Sequence, residues 1–159
     1  MTAARVPTRL FAILLTAAAC SWTAAIFLPA LTHASSSLPA RAIDLVGSLV
    51  CHQRDARSFH LDGQRLAVCG RCTGLYVAGA LGALFAWLGR ARLPPNTRAF
   101  LLIAAMPTLV TLAIEWIGLA DPGNAGRALA ALPLGAASGW LFVRMLRVEA
   151  QPTTCAIIT

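Results

Sequence analysis

The chain has 159 residues, of which 58% are hydrophobic and 12% charged, and its formal net charge is +7. Soluble globular proteins carry about 25% charged residues, so the composition predicts an integral membrane protein. A length of 159 residues accommodates a few spanning helices and excludes a large extramembrane enzyme. All thirteen basic residues are arginines, and they lie in small groups between apolar runs. Nucleic-acid binding needs a continuous solvated basic face, so we expect membrane lipids as partners and no nucleic acid.

Four apolar runs predict an all-α bundle of four transmembrane helices within a single membrane domain, residues 1–159. The first run, residues 10–31, holds 22 residues without a charge, and about 20 are enough to cross a bilayer. A cleavable signal peptide is the alternative, but its apolar core is shorter. We therefore expect an uncleaved first helix. The other three spans are expected at 72–89, 99–119 and 126–143.

Small residues predict how two of these helices pack. Gly74, Ala78 and Gly82 recur every fourth residue in the second span, and Gly135 and Gly139 have the same spacing in the fourth. Stripes of this kind let two helix backbones approach closely inside a membrane. Both helices are therefore expected to pack through their glycines.

A motif-bearing loop, residues 41–71, joins the first span to the second. Apolar side chains recur at helical spacing over residues 42–50, which predicts a short interfacial helix that delivers Cys51 and His52 to the membrane surface. The segment from 53 to 65 is polar. Asp62-Gly63 within it predicts a tight turn.

Helix alternation brings distant polar residues to one membrane face. The motif loop, Glu115 at the end of the third span, and the turn from Asp121 to Arg127 must lie on the same side. The opposite side carries both termini and the 90–98 loop, with seven arginines on short segments. By the positive-inside rule, both termini are expected in the cytoplasm.

Three cysteines in the motif loop predict a metal site. Cys69 and Cys72 lie three residues apart at the start of the second helix, so their sulfurs can point the same way. The free N–H groups of a helix start favour the thiolate, and Arg71 between the cysteines adds to this effect. Zinc takes sulfur and imidazole ligands, with Cys51 as the third thiolate and one histidine as the fourth ligand. The candidate ligands are Cys51, His52, His60, Cys69 and Cys72.

The same cysteines allow a membrane thiol–disulfide oxidoreductase as an alternative. With both termini in the cytoplasm, the motif loop faces an oxidising compartment, which favours disulfides. The arrangement loosely resembles quinone-coupled disulfide-forming membrane oxidoreductases. Those use four essential cysteines, whereas here Cys20 lies within a span and Cys155 lies on the opposite side.

A second alternative is an enzyme or transporter acting on a phosphorylated lipid or isoprenoid headgroup, with arginines contacting the phosphate. Glu115 is the one acid inside a predicted span, and such a group is costly enough to suggest a function, unless it reaches the interface. Arg127 opposes the dipole of the fourth helix and is expected to pair with Asp121 or Glu115. The candidate polar cluster comprises Arg57, Ser58, Arg71, Thr73, Tyr76, Glu115, Asp121, Asn124 and Arg127.

One long motif resembles a known family. CHQRDARSFH at 51–60 and VCGRCTGLYVAG at 68–79, followed by Asp121, Asn124 and Arg127, resemble the signature of uncharacterised prokaryotic membrane proteins catalogued as domain of unknown function 2085. The resemblance covers about residues 45–140. It implies a multi-pass protein of a prokaryotic plasma membrane and supplies no activity, so catalytic residues stay unassigned.

Overall fold

The structure, a computed structural model, describes residues 5–32, 37–88 and 92–149. Cys155 lies outside the described residues. Five α-helices and one two-stranded sheet are present in the described ranges. The helices are α1 (Arg5–Leu31), α2 (Leu38–Val50), α3 (Gly70–Leu88), α4 (Thr97–Trp116) and α5 (Gly123–Glu149), and the strands are β1 (Ser58–Leu61) and β2 (Gln64–Cys69).

Four of these helices are long and apolar enough to cross a membrane. The candidate spans are Thr8–Leu31, Gly70–Leu88, Thr97–Trp116 and Gly123–Val148. The predicted helical membrane bundle with four spans is therefore confirmed.

The bounds of the last two spans differ most from the prediction. The third spanning helix, α4, ends at Trp116 rather than near 119, and Gly118 just beyond it has a φ of +71°. Glycine takes this left-handed conformation without strain, and it commonly terminates helices. The fourth spanning helix is longer at both ends than the predicted 126–143. Its C-terminal extension is stabilised because Arg147 lies 4.7 Å from the Trp87 ring centroid and donates to the Ala86 carbonyl.

Helices α3 and α5 pack backbone to backbone through the predicted small residues. A Cβ added to Gly74 would overlap the carbonyl of Ala128, and one added to Gly82 would overlap the carbonyl of Ala136. Gly139 on α5 lies equally close to the α3 backbone. The glycines are therefore required by close helix approach.

Helix α1 braces α3 along its length. The Trp22 ring meets the Tyr76 ring edge-on at a centroid distance of 6.0 Å, and Thr23 Oγ1 donates to the Tyr76 carbonyl over 3.1 Å. Nearer the other end of both helices, Trp87 Nε1 donates to Thr16 Oγ1 over 2.9 Å. The apolar first span is thus part of the folded bundle.

The motif loop begins with the expected short helix. Helix α2 starts at Leu38, upstream of the predicted 42–50, because Ser37 accepts a hydrogen bond from the Ala40 N–H and a proline lies in the first turn. Leu45 and Leu49 are exposed on its outer side. A 13-residue helix with an exposed apolar face suits the membrane interface.

A β-hairpin follows α2 where the sequence predicted a polar loop. The expected turn is present, since Asp62 and Gly63 both have positive φ, at 48° and 76°. They form the two-residue connection between the antiparallel strands β1 and β2. The strands were missed because both are short, and because three consecutive buried residues in β2, from 66 to 68, do not alternate with polar ones. Strand β2 ends at Cys69, directly before α3.

Candidate metal centre and adjoining polar cluster

Three cysteines converge where α2, β2 and α3 meet. Cys51 is the C-terminal cap of α2, Cys69 ends β2, and Cys72 lies in the first turn of α3. Their sulfur atoms all lie within 4.8 Å of one another. Cys51 is buried, the other two are half-buried, and all three are free thiols. Such a cluster can hold a metal ion.

Gln53 fixes Cys51 beside Cys69. Its side-chain nitrogen donates to the carbonyls of Asp44 in α2 and Ala67 in β2, each over 2.8 Å. Across the joint, the Cys69 N–H donates to Cys51 Sγ over 3.2 Å. The sequence did not predict a role for Gln53 at the site. Its place directly after Cys-His in the family motif was the available signal.

The thiolate of Cys69 is stabilised by hydrogen bonds to its sulfur atom. The Cys72 thiol makes the largest contribution and, with the N–H groups of Cys72 and Arg71, lowers the pKa of Cys69 to about 5 against the opposing effect of burial. The N–H groups at the helix start contribute to the lowered pKa, but less than the Cys72 thiol does. The predicted role of the Arg71 side chain is different, because its guanidinium pairs with Glu115.

Apolar side chains back the cysteine cluster. Ile26 of α1 and Val68 of β2 are fully buried against Cys51, and Trp22 and Tyr76 pack at the edge of the same group. Tyr76, predicted as part of the polar cluster, thus lies beside the cysteines. An apolar shell limits the access of water to a metal site and tunes its chemistry.

Neither candidate histidine belongs to the group of ligand atoms found in the described residues. His52 is exposed directly after Cys51. His60 lies on β1, where its Nε2 is 3.1 Å from Asp55 Oδ1. The structure therefore brings together three of the five predicted ligands.

A buried carboxylate at the end of α4 gathers three arginines. The Glu115 side chain is 6% exposed, and its Oε1 accepts from Arg71 Nη2 and Arg127 Nε, both over 2.9 Å. Arg57 Nη1 lies 3.6 Å from the other oxygen, Oε2. Glu115 thus joins the motif loop, the start of α3 and the start of α5, as helix alternation predicted.

Arg127 links this carboxylate to the turn before α5. Its side chain is 4% exposed, and it donates to Asp121 Oδ1 over 2.8 Å and to Asn124 Oδ1 over 3.1 Å. Asn124 in turn donates to the Ser58 carbonyl over 2.9 Å. The expected pairing of Arg127 is therefore made with both acids. The Gly123 N–H, with Arg127, lowers the pKa of exposed Asp121.

Two hydroxyl groups of the predicted polar cluster bond to the backbone. Ser58 is fully buried and donates to the Arg54 carbonyl over 3.0 Å. Thr73 Oγ1 donates to the Cys69 carbonyl over 3.1 Å. These side chains stabilise the hairpin and its joint with α3.

A bundle of four apolar helices with a thiol cluster and a buried arginine–glutamate network at one end defines a multi-pass membrane protein with a polar site. The family model described as predicted membrane protein (DUF2085) matches residues 51–141, more than half of the chain. The chain belongs to this family.

Two curated relatives are archaeal and are described as uncharacterised. A protein of Methanocaldococcus jannaschii is 35% identical over 83 residues, which are 50% of this chain and 52% of the relative. A protein of Methanothermobacter thermautotrophicus is 29% identical over 86 residues, or 54% of this chain and 78% of the relative. The chain thus spans about half the length of the first relative. No solved structure matches the chain.

Proposed function

We propose that this protein is a metal-binding membrane protein in which Cys51, Cys69 and Cys72 bind one zinc ion as thiolates. The observation that carries the proposal is the convergence of the three sulfur atoms within 4.8 Å. Zn–S bonds of about 2.3 Å in tetrahedral geometry separate two sulfurs by about 3.8 Å. A contraction of about 1 Å or less brings the cluster to that geometry.

The surroundings of the cluster favour a bound cation. Hydrogen bonds to the Cys69 sulfur, chiefly from the Cys72 thiol, lower the pKa of Cys69 to about 5 and so favour the thiolate form that binds a cation. The N–H donated to Cys51 Sγ is the kind of outer contact that orients a thiolate ligand. Gln53 holds the backbone on both sides of this contact.

Three protein ligands leave the fourth position of a tetrahedral ion for water, a substrate or a further side chain. Structural zinc sites are normally closed by four protein ligands, whereas catalytic sites keep one position open. His52 and His60 are the candidates for closing the site. His60, on β1, lies 3.1 Å from Asp55 Oδ1, and His52 is exposed. We therefore propose three cysteine ligands and an open fourth position.

Metal analysis combined with thiol counting tests this function. The protein is purified without chelators, its zinc is measured by plasma mass spectrometry, and its free thiols are counted in denaturant. The proposal expects one zinc per chain and no disulfide. Metal-free protein with a reducible link to Cys51 would overturn it.

A thiol–disulfide oxidoreductase is the second candidate, favoured by the low pKa of Cys69 in a Cys-x-x-Cys pair. Its resting form would hold a disulfide between two of the three clustered cysteines. The same thiol count separates the two functions, because a disulfide removes two thiols and zinc removes none.

We further propose that the protein lies in the plasma membrane with both termini in the cytoplasm and the cysteine cluster at the outer surface. The arginine distribution supports this orientation. An Asp62→Cys variant places a thiol on the exposed hairpin turn. A membrane-impermeant maleimide should label this variant on intact cells more strongly than the unmodified protein. Equal labelling of the two proteins would contradict the proposed orientation.

A further inference from the structure

A cavity opens beside the arginine–glutamate network. It has a volume of about 480 Å³, and Arg57 and Glu115 form its polar end. Its remaining lining residues are apolar and come from α4, namely Leu109, Leu112, Ala113 and Trp116. Trp116 ends the spanning helix and is 90% exposed. Tryptophan is enriched at this depth, where the hydrocarbon meets the headgroups. The cavity therefore joins a charged end to a membrane-facing apolar wall.

The polar end carries an excess of positive charge. Three arginines surround Glu115 and Asp121, so two carboxylates oppose three guanidinium groups. Arg71 and Arg127 are committed to these acids at 2.8–2.9 Å. Arg57 makes only a longer contact, at 3.6 Å, and its side chain is 43% exposed. Arg57 is thus the cation best placed to meet an incoming anion.

The polar end also holds an acceptor that is not used. Glu115 Oε2 is buried and accepts no hydrogen bond from the residues that the structure describes, and Arg57 Nη1 approaches it only to 3.6 Å. The Glu115 side chain is more than nine-tenths buried and lines the cavity. A buried acceptor left without a donor is energetically costly. A ligand hydroxyl at this oxygen would remove that cost.

From these features we infer that the cavity binds an anionic phospholipid whose headgroup carries a free hydroxyl. Arg57 contacts the phosphate, Glu115 Oε2 accepts from the hydroxyl, and the lipid chain lies against Leu112 and Trp116. Guanidinium and phosphate groups form strong, often bidentate, charge-assisted hydrogen bonds. The apolar wall favours a lipid over free phosphate, which would leave that wall uncovered. This inference does not depend on zinc binding.

Native mass spectrometry of the full chain in detergent tests the site. The probes are phosphatidylglycerol, which is anionic with free hydroxyls, phosphatidylethanol, which is anionic without one, and zwitterionic phosphatidylcholine. We expect phosphatidylglycerol to be retained most, with each lost charge-assisted contact costing about tenfold. Equal retention of phosphatidylcholine would overturn the site. Equal retention of phosphatidylethanol would overturn the role of Glu115 Oε2.

A matched pair of arginine variants separates the site from general surface charge. Arg57→Ala and Arg54→Ala remove the same charge from the same segment, but the Arg54 side chain does not line the cavity. Arg57→Ala should lower retention of phosphatidylglycerol about tenfold, and Arg54→Ala should leave it unchanged. An equal loss in both variants would assign the binding to nonspecific attraction.

A third variant tests the apolar wall and keeps both charged groups. Leu112→Trp should partly fill the cavity and reduce lipid retention without touching Arg57. Inorganic phosphate added at millimolar concentration should fail to displace the lipid. If phosphate competes fully and Leu112→Trp has no effect, the ligand is the free anion and the lipid assignment is wrong. The zinc content of each variant, measured on the same sample, shows separately whether the metal site is intact.

Discussion

Arg71 and Glu115 tie the start of α3 to the end of α4: Arg71 Nη2 donates to Glu115 Oε1 over 2.9 Å. Arg71 lies between Cys69 and Cys72, so the same turn of chain carries two thiols on one side and an ion pair on the other. The thiol cluster and the arginine–glutamate network therefore share one turn of backbone. A shift of the thiol cluster should therefore also displace the arginine–glutamate network, and the reverse.

Single cysteine substitutions should separate ligands from the remaining thiols. Cys51→Ser, Cys69→Ser and Cys72→Ser should each lower zinc content by about tenfold or more, since each removes one of few ligands. Cys20→Ser is the matched control, because Cys20 lies within α1 outside the cluster. Zinc per chain is measured by plasma mass spectrometry. Loss of zinc in Cys20→Ser to the same extent would contradict the assignment of ligands.

Glu115→Gln should strongly destabilise the protein. The substitution keeps the size of the side chain and removes the charge that three arginines share. Arg127 would then be a buried cation with only an exposed acid as partner, and the expected loss in the free energy of unfolding is about 2–4 kcal/mol. The measurement is a denaturant titration in detergent micelles.

Asp121→Asn is the control for this prediction. The Asp121 side chain is 71% exposed, so solvent screens its ion pair, and the loss of this charge should destabilise the protein much less than the loss of the Glu115 charge. Equal destabilisation by the two substitutions would mean that burial does not govern the network.

The sequence predicted the four spans and the common face because both follow from long-range alternation of apolar and polar segments. Helix alternation placed Glu115 and Arg127 at one face, and the dipole of the fourth helix predicted that Arg127 pairs with Asp121 or Glu115. The cluster of three cysteines was predicted from the Cys-x-x-Cys spacing of Cys69 and Cys72, with Cys51 as the third cysteine of the same loop. These features depend on spacing and topology, not on the detailed path of the chain.

The hairpin and the two histidines show what spacing alone did not determine. Short strands leave almost no periodic signal, so β1 and β2 read as loop, and the orientation of His60 depended on that strand. Gln53, whose side chain bonds to the Asp44 and Ala67 carbonyls in what we call the Gln53 clamp, has a left-handed backbone with φ +46°. No local pattern in the sequence predicts that conformation for a glutamine.

Close packing of α3 on α5 predicts opposite outcomes for two neighbouring glycines. A Cβ on Gly82 would overlap the Ala136 carbonyl, whereas a Cβ on Gly79 would lie 3.7 Å from the nearest atom, the Gly135 carbonyl oxygen. Gly82→Ala should therefore cost about 1–3 kcal/mol of unfolding free energy. Gly79→Ala should be neutral or slightly stabilising, because alanine is the better helix former. Similar denaturation midpoints for both variants would contradict the close approach of the backbones.

Gln53→Glu tests whether the clamp positions the metal ligands without touching the metal. The carboxylate cannot donate to the Asp44 and Ala67 carbonyls, which would lose a donor held at 2.8 Å from each. Cys51 would then be free to shift away from Cys69. Outer contacts of this kind change metal affinity by about 10–100-fold.

Gln64→Glu is the matched control, since it makes the same chemical change at the first residue of β2. Zinc affinity is measured by competition with a chelator. Weaker zinc binding in Gln53→Glu, with unchanged binding in Gln64→Glu, would identify Gln53 as a positioning residue. Gln53→Asn should not restore the affinity, because the asparagine side chain is too short to reach both carbonyls. Equal affinities in the two glutamate variants would show that the clamp does not hold the cluster.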